Sequence, residues 1–277
     1  MGLSTTMGLS ATEESAARGT SASARSSEVI WHDLECGCYR ADLPLWRELA
    51  AQHPGPVLEI GAGSGRVALD LARAGHAVTA LERERVLLEA LRSREGGERV
   101  RAVCADACRF RLEQREYALC VVPMQTIQLL GGAAGRSAFL RRARAVLRRG
   151  ALLVCAILAR VEPFACADGE IGPAPETAVI DGLLYESRPR RVALGRRSVV
   201  IERERRILAA SEQPRWDARA GAGGRLRLRE RSVIELDRLA RRTLEQEALA
   251  AGLRPEPARE VPATEDHAGS TVVMLRA

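Results

Sequence analysis

The decapeptide VLEIGAGSGR, residues 57–66, constrains this chain of 277 residues more than any other stretch. Val57, Leu58 and Ile60 lead straight into glycines at 61, 63 and 65. GRVALDLARAGH (65–76) then takes up helical spacing, with Val67, Leu69, Leu71 and Ala72 available to a sheet. A buried strand, a glycine turn and a helix in that order make the first half of a βαβ unit. The turn of such a unit lies at the carboxyl edge of a parallel sheet, where ligands bind. Glycine lets the backbone approach a ligand with no Cβ in the way, and the helix start presents unpaired N–H groups to an anionic group. The loop is therefore either a tight turn and nothing more, or the seat of a nucleotide-like ligand.

The same rhythm continues along the chain. HAVTAL (76–81), RVRAVCAD (99–106), YALCVVPM (117–124) and ALLVCAIL (151–158) read as buried strands. RERVLLEALRSR (83–94) and SAFLRRARAVLRR (137–149) read as helices between them, the second with Phe139, Ala143, Val146 and Leu147 on one face. Continuous apolar runs suit parallel strands covered on both faces. Upstream, ADLPLWRELAAQ (41–52) is helical, with Pro44 near its start. After Leu158 the pattern changes. Residues 159–177 are loop-like, and AVIDGLLYESRP, RRSVVIERERRIL and GRLRLRERSVIEL follow as extended segments, expected to form an antiparallel lobe. TLEQEALAAGL (243–253) predicts a helix capped by Thr243 and ended by Gly252, and GSTVVMLRA (269–277) a final strand. Residues 1–27 hold almost no large apolar side chains and are expected to be disordered.

Spacing narrows the ligand. A dinucleotide fingerprint needs its third glycine at position 66, which is Arg66, and a phosphate-binding P-loop needs a lysine, which the chain lacks. The pattern present is Glu59, Gly61, Gly63, Gly65 at alternate positions. With Glu82 at the end of HAVTALE and Asp106 in CADACRF, it resembles the class I S-adenosylmethionine-dependent methyltransferases. The resemblance is strong over about 55–158 and weaker over 243–277.

It implies an α/β, Rossmann-like sheet of seven strands with the last antiparallel, and the β lobe inserted between strands five and six. The parts would be a helical lid at 28–54, a cofactor core at 55–158, a cap at 159–242 and a closing helix and strand at 243–277. It implies S-adenosylmethionine as cofactor. Glu82 would hold the ribose hydroxyls, because a carboxylate offers two acceptors to a diol. Asp106 would accept from the adenine amine, with the Ala107 N–H against the ring. Glu59 would lie near the methionine end, orienting either the loop or the ammonium group. Ala62, Arg83 and Val122 complete the implied cofactor set beside the glycines. Arg66 either pairs with the cofactor carboxylate or faces solvent. Tyr39, in the lid, would touch the sulfonium side or else be a packed surface tyrosine. Where the acceptor must lose a proton, His267 and His32 are the candidate bases, each equally readable as a plain surface or core histidine; His53 and His76 read as structural.

The acceptor is the least constrained part. Methyltransferases of DNA-base amines carry an acid or amide, two prolines and an aromatic after strand four; here Val122, Pro123, Met124 and Gln125 stand there. No Pro-Cys pair exists for cytosine-C5 chemistry. A small-molecule acceptor, methylated on N or O, is expected. All 42 basic residues are arginine, the net charge is +6, and acids are interleaved in runs such as IERERR (201–206). That pattern reads as a mixed solvated surface, with an RNA or other nucleic-acid methyltransferase as the alternative. A non-catalytic scaffold and an NAD-dependent oxidoreductase are further alternatives, the first disfavoured by Glu82 with Asp106, the second by Arg66. The lobe is a candidate homodimer surface. No zinc-type spacing accompanies the seven cysteines, among which Cys104, Cys120 and Cys155 read as core residues, and no metal is expected. No apolar run is long enough to span a membrane, so a cytoplasmic protein with reduced thiols is expected.

Overall fold

Four strands of near-continuous apolar sequence can be buried only between two helical layers. In the computed structural model they form the centre of a seven-stranded sheet. The structure describes residues 27–158, 160–167, 172–209, 216–217, 221–222, 225–264 and 267–277; the tail expected at 1–27 lies, but for Ser27, outside them. The sheet contains β1 (Val57–Ile60), β2 (Val78–Glu82), β3 (Val100–Cys104), β4 (Tyr117–Val122), β5 (Leu147–Leu158), β13 (Arg254–Val261) and β14 (Ser270–Arg276). Its order is β13-β14-β5-β4-β1-β2-β3. The pairs among β1 to β5 are parallel, and β14 is antiparallel to both its neighbours.

Alternate residues of these strands enter two cores. Val57, Val78, Ala80, Leu119, Val121 and Val154 meet α2 (Leu43–Gln52), α3 (Arg66–Arg73) and α4 (Arg85–Ser93) through Trp46, Leu49, Val67, Leu71, Leu88 and Leu91. Leu58, Ile60, Leu81, Cys120, Val122 and Leu153 meet α5 (Gly132–Val146) and α6 (Arg241–Ala250) through Phe139, Leu140, Ala143, Leu244 and Ala248. The period of two along each strand sorts neighbouring side chains to opposite faces.

Between β5 and α6 the chain builds the expected antiparallel lobe. Its strands are β6 (Phe164–Ala165), β7 (Glu176–Ile180), β8 (Leu183–Leu194), β9 (Ser198–Ala209) and β12 (Leu226–Asp237), in the order β12-β9-β8-β6 with β7 also on β8. A separate two-residue ladder joins β10 (Trp216–Asp217) to β11 (Gly221–Ala222). Two apolar patches on one lobe face hold it to the core. Tyr185 packs with Trp31 and Leu34, and Val192, Val199 and Leu236 pack with Leu158, Val161 and Phe164.

Several elements differ from expectation. The stretch AVIDGLLYESRP is a hairpin, not one extended segment: Asp181 and Gly182 both have positive φ, 50° and 72°, as a two-residue primed turn requires. β13 was not foreseen because Pro255 and Pro257 argue against a strand. It lies at the sheet edge, where a missing N–H is tolerated, and a register shift falls between Glu256 and Arg259. α5 begins at Gly132, and β5 takes over at Leu147 rather than 151. Ala240 occupies the N-cap position of α6 with no side-chain cap bond, so Thr243 lies inside the helix, although Gly252 (φ 80°) ends it as expected. Cys104 is exposed, while Cys120 and Cys155 are buried.

The return from the lobe is fixed by a buried cation. Arg136 on α5 is 5% exposed, pairs through Nε and Nη2 with both oxygens of Glu247 on α6, each at 2.7 Å, and also bonds Asp237 at the end of β12. Removing one partner of a buried ion pair strands the others. Arg136→Ala is therefore expected to cost about 3 kcal/mol of unfolding free energy by denaturant titration. A loss within 0.5 kcal/mol would show that the network contributes nothing.

Candidate active site at the carboxyl edge of the sheet

The glycine loop leaves β1 with Gly61, Gly63 and Gly65 all at positive φ (70°, 56° and 99°). Each also lies where a side chain has no room. A Cβ at Gly61 would stand 2.5 Å from Thr126 of the loop after β4, at Gly63 2.3 Å from the His32 ring, and at Gly65 2.8 Å from Leu91 of α4. The alternate glycines are thus required by the turn and by three separate elements converging on it. The N–H groups of Gly61 and Ala62 both donate to the Leu81 carbonyl, which ties the loop to β2.

Glu59 enters the core beneath this loop and is 2% exposed. Burial pushes its carboxyl up to about 8; Asp42 and Glu82 add to this, while Arg66 and an N–H from Ala68 oppose it. Among the described residues its Oε2 has no hydrogen-bond partner. Arg66, the first residue of α3, neither faces solvent nor points to an open site: it forms a buried two-pronged pair with Asp42 and also donates to the Tyr39 carbonyl at 3.0 Å. Asp42 precedes α2 and was not singled out in the sequence, although an acid just before a helix start is a recognisable signal.

The two acids expected to hold the nucleoside stand at the ends of the next strands. Glu82, 8% exposed, accepts at Oε2 from Gly63 N–H (2.8 Å) and at Oε1 from the N–H groups of Arg83 (2.8 Å) and Glu84 (3.0 Å). It joins the glycine loop to the β2 turn and retains one of its roughly four acceptor positions. Arg83 itself is exposed, its side chain turned to Glu84. Asp106 is exposed after β3 and accepts from Cys108 N–H at 2.6 Å, with Ala107 half-buried beside it. Val122 ends β4 fully buried.

A helix ahead of the core spans both halves of the molecule. This α1 runs over 27–32 and widens into a π-helical turn at Asp33–Gly37. On the core side, His32 Nδ1 lies 3.2 Å from Ser64 Oγ, Ser64 Oγ donates to Asp33 at 2.6 Å, and Arg94 bonds both Asp33 and Ser64. On the lobe side, Glu35 accepts from Arg205 at 2.7 and 2.8 Å and from Ser187 at 2.7 Å. Burial works to raise Glu35, but the bonds and charges of Arg205, Ser187 and Arg203 hold it below the usual carboxylate range. Beyond the turn, Tyr39 is 6% exposed, its ring stacks on His267 at 4.8 Å, and its buried hydroxyl has no partner among the described residues. The structure thus brings Tyr39 and His267 together and sets His32 apart against Gly63.

Several lobe arginines are paired with acids within the sheet. Arg203 pairs with Glu176, Arg206 with Glu186 and Glu204, Arg229 with Glu204, and Arg231 with Glu202. A shallow cavity of about 320 Å³ on this lobe is lined by Arg191, Arg229 and Arg231 with Glu202 and Glu204. Among the described residues no group of three or more His, Cys, Asp or Glu side chains could hold a metal ion, and no helix is long and apolar enough to cross a membrane.

Residues 57–150 match the family model of a methyltransferase domain. Among solved structures, the chain is similar to the amino pentose methyltransferase CalS10 of Micromonospora echinaspora, involved in calicheamicin biosynthesis (TM-score 0.61, 19% identity, 99% of this chain and 100% of that one). It is similar to the sugar N-methyltransferase KedS8 of a Streptoalloteichus species (TM-score 0.61, 16% identity, 100% and 97% covered). A third is the CcbJ methyltransferase of Streptomyces caelestis (TM-score 0.57, 20% identity, 86% and 90% covered). No curated protein sequence matches the chain significantly. Residues 57–150 are thus a methyltransferase domain, and the chain shares its glycine loop and its sheet order with one reversed strand with S-adenosylmethionine-dependent methyltransferases of this fold.

Proposed function

We propose that the protein transfers a methyl group to a nitrogen or oxygen of a small polar acceptor, with an amine carried on a sugar as the first candidate. The observation that carries this reading is the convergence of Glu59, Glu82 and Asp106 on the carboxyl ends of three consecutive parallel strands, around a loop of positive-φ glycines. A buried Glu59 oxygen with no partner among the described residues suits an ammonium group, and the one acceptor position that Glu82 retains suits a ribose hydroxyl, so the residues present fit the cofactor. When bound, the cofactor supplies an electrophilic methyl on its sulfonium. The chain positions both partners. Glu82, with Arg83 and Ala62 at its side, holds the ribose; Asp106 and Ala107 meet the adenine, and Val122 forms the apolar floor. Tyr39 fixes the sulfonium end with its hydroxyl. His267, held by the Tyr39 ring, takes the proton from an ammonium acceptor so that its lone pair can attack. Holding the reacting atoms in line is the larger part of the catalysis.

The lobe roofs the acceptor. The pairing of Arg203, Arg206, Arg229 and Arg231 with acids supports a small acceptor over a nucleic acid, whose affinity would come from cations available to phosphates. The sugar and amino pentose methyltransferases of the same fold support the first candidate. The direct test is S-adenosylhomocysteine release against amino sugars, hydroxylated metabolites and RNA. Turnover confined to RNA would overturn the reading.

Three outcomes follow from the assigned roles. Glu82→Ala and Asp106→Ala each weaken S-adenosylhomocysteine binding, Glu82→Ala by about tenfold or more; unchanged affinity in both would remove the cofactor assignment. Tyr39→Phe, which removes the hydroxyl at the sulfonium end, lowers kcat for the amine acceptor; an unchanged kcat and cofactor KM together would place Tyr39 elsewhere. Glu59 is neutral below about 8 in the free protein and must ionise against the cofactor ammonium. Binding at pH 7 therefore releases a proton, and affinity rises with pH until about 8 and then levels. Calorimetry in buffers of different ionisation enthalpy reads the proton directly, and Glu59→Gln is expected to abolish it.

A further inference from the structure

Gln128 has no task in the scheme above, yet it is 2% exposed, on the 3-10 turn Thr126–Leu129 that follows β4. Its amide makes two bonds in opposite senses. The Leu158 N–H donates to Oε1 at 2.7 Å, and Nε2 donates to the Asp237 carbonyl at 2.7 Å. Leu158 is the last residue of β5, where the chain leaves the core for the lobe. Asp237 is the last residue of β12, where it returns. One planar side chain therefore grips both crossings. The partners also fix which end of the amide is which, because one is a donor and the other an acceptor.

The turn that carries Gln128 belongs to the loop beneath the candidate acceptor site. Thr126 in this loop packs against Gly61, and Gln125 Nε2 reaches Ser270 Oγ at the start of β14 at 3.5 Å. The Asp237 carboxylate is tied separately to Gly132 N–H (2.8 Å) and to Arg136. Loop, lobe exit and lobe return thus meet at one buried point.

We propose that Gln128 is a positioning residue that locks the loop after β4 to both crossings of the lobe, so that the floor and the roof of the acceptor site keep one spacing. The proposal rests on the reading that the acceptor lies between that loop and the lobe. The chemistry demanded is one donor and one acceptor on the same group. Leucine supplies neither. A glutamic acid side chain supplies both when protonated and loses the donor when ionised.

The test is hydrogen exchange by mass spectrometry on the full chain with Gln128→Leu and Gln128→Glu, alongside S-adenosylhomocysteine calorimetry. In Gln128→Leu, protection is expected to fall about tenfold or more at the peptides covering Leu158 and Asp237 together, with the interiors of β8 and β9 unchanged. In Gln128→Glu, protection at both crossings is retained at about pH 5.5 and lost at about pH 9, because the buried introduced carboxyl ionises between them. Unchanged protection in the leucine variant would overturn the proposal, and so would a loss spread over the whole chain or a pH-independent glutamate variant. The calorimetry separates the two readings: absent binding by the unaltered protein would sink the cofactor assignment, while the exchange data would still judge the clamp.

Discussion

The turn from Gly61 to Gly65 is the constraint on which the rest of the site depends. Three positive-φ positions in five residues bring the chain from β1 into α3, and each missing Cβ is filled by a different element. Thr126 comes from the loop after β4, His32 from α1, and Leu91 from α4. Any side chain at these positions would strain the backbone and push away one of those neighbours. The loop is at once the turn and the docking point for three converging segments.

Charge pairing extends this order outward. Burying Arg66 with Asp42 costs desolvation that only close, two-pronged geometry offsets. The result fixes α2 to the start of α3 and the Tyr39 carbonyl to both. The π-helical turn at Asp33–Gly37 then carries two acids with different destinations: Asp33 reaches Arg94 and Ser64 on the core, and Glu35 reaches Arg205 and Ser187 on the lobe. The irregular turn carries both attachments, and π-turns recur at functional sites. Placement of the lobe thus depends on α1 from one side and on Gln128 and Arg136 from the other.

Much of the architecture was legible in the sequence because buried parallel strands and amphipathic helices leave strong periodic signals. The sheet, the lobe, and the positions of Glu59, Glu82 and Asp106 at strand ends came from those signals and from the family resemblance. What was missed depends on tertiary context. β13 carries two prolines that only an edge position tolerates. Arg66 found its partner 24 residues upstream in Asp42, and no local pattern encodes such a pair. Cys104 sits in an apolar run but on an exposed strand end. The Asp181-Gly182 hairpin is different: its turn signal was present and was overridden by the extended composition around it.

The central claim is that the glycine loop, Glu59, Glu82 and Asp106 form a seat for S-adenosylmethionine. Calorimetric titration of the purified protein with S-adenosylhomocysteine, with NAD as the control, tests it most directly. The account predicts saturable one-to-one binding of the first, on the order of micromolar, and no heat from the second. Binding of NAD alone, or of neither, would contradict it.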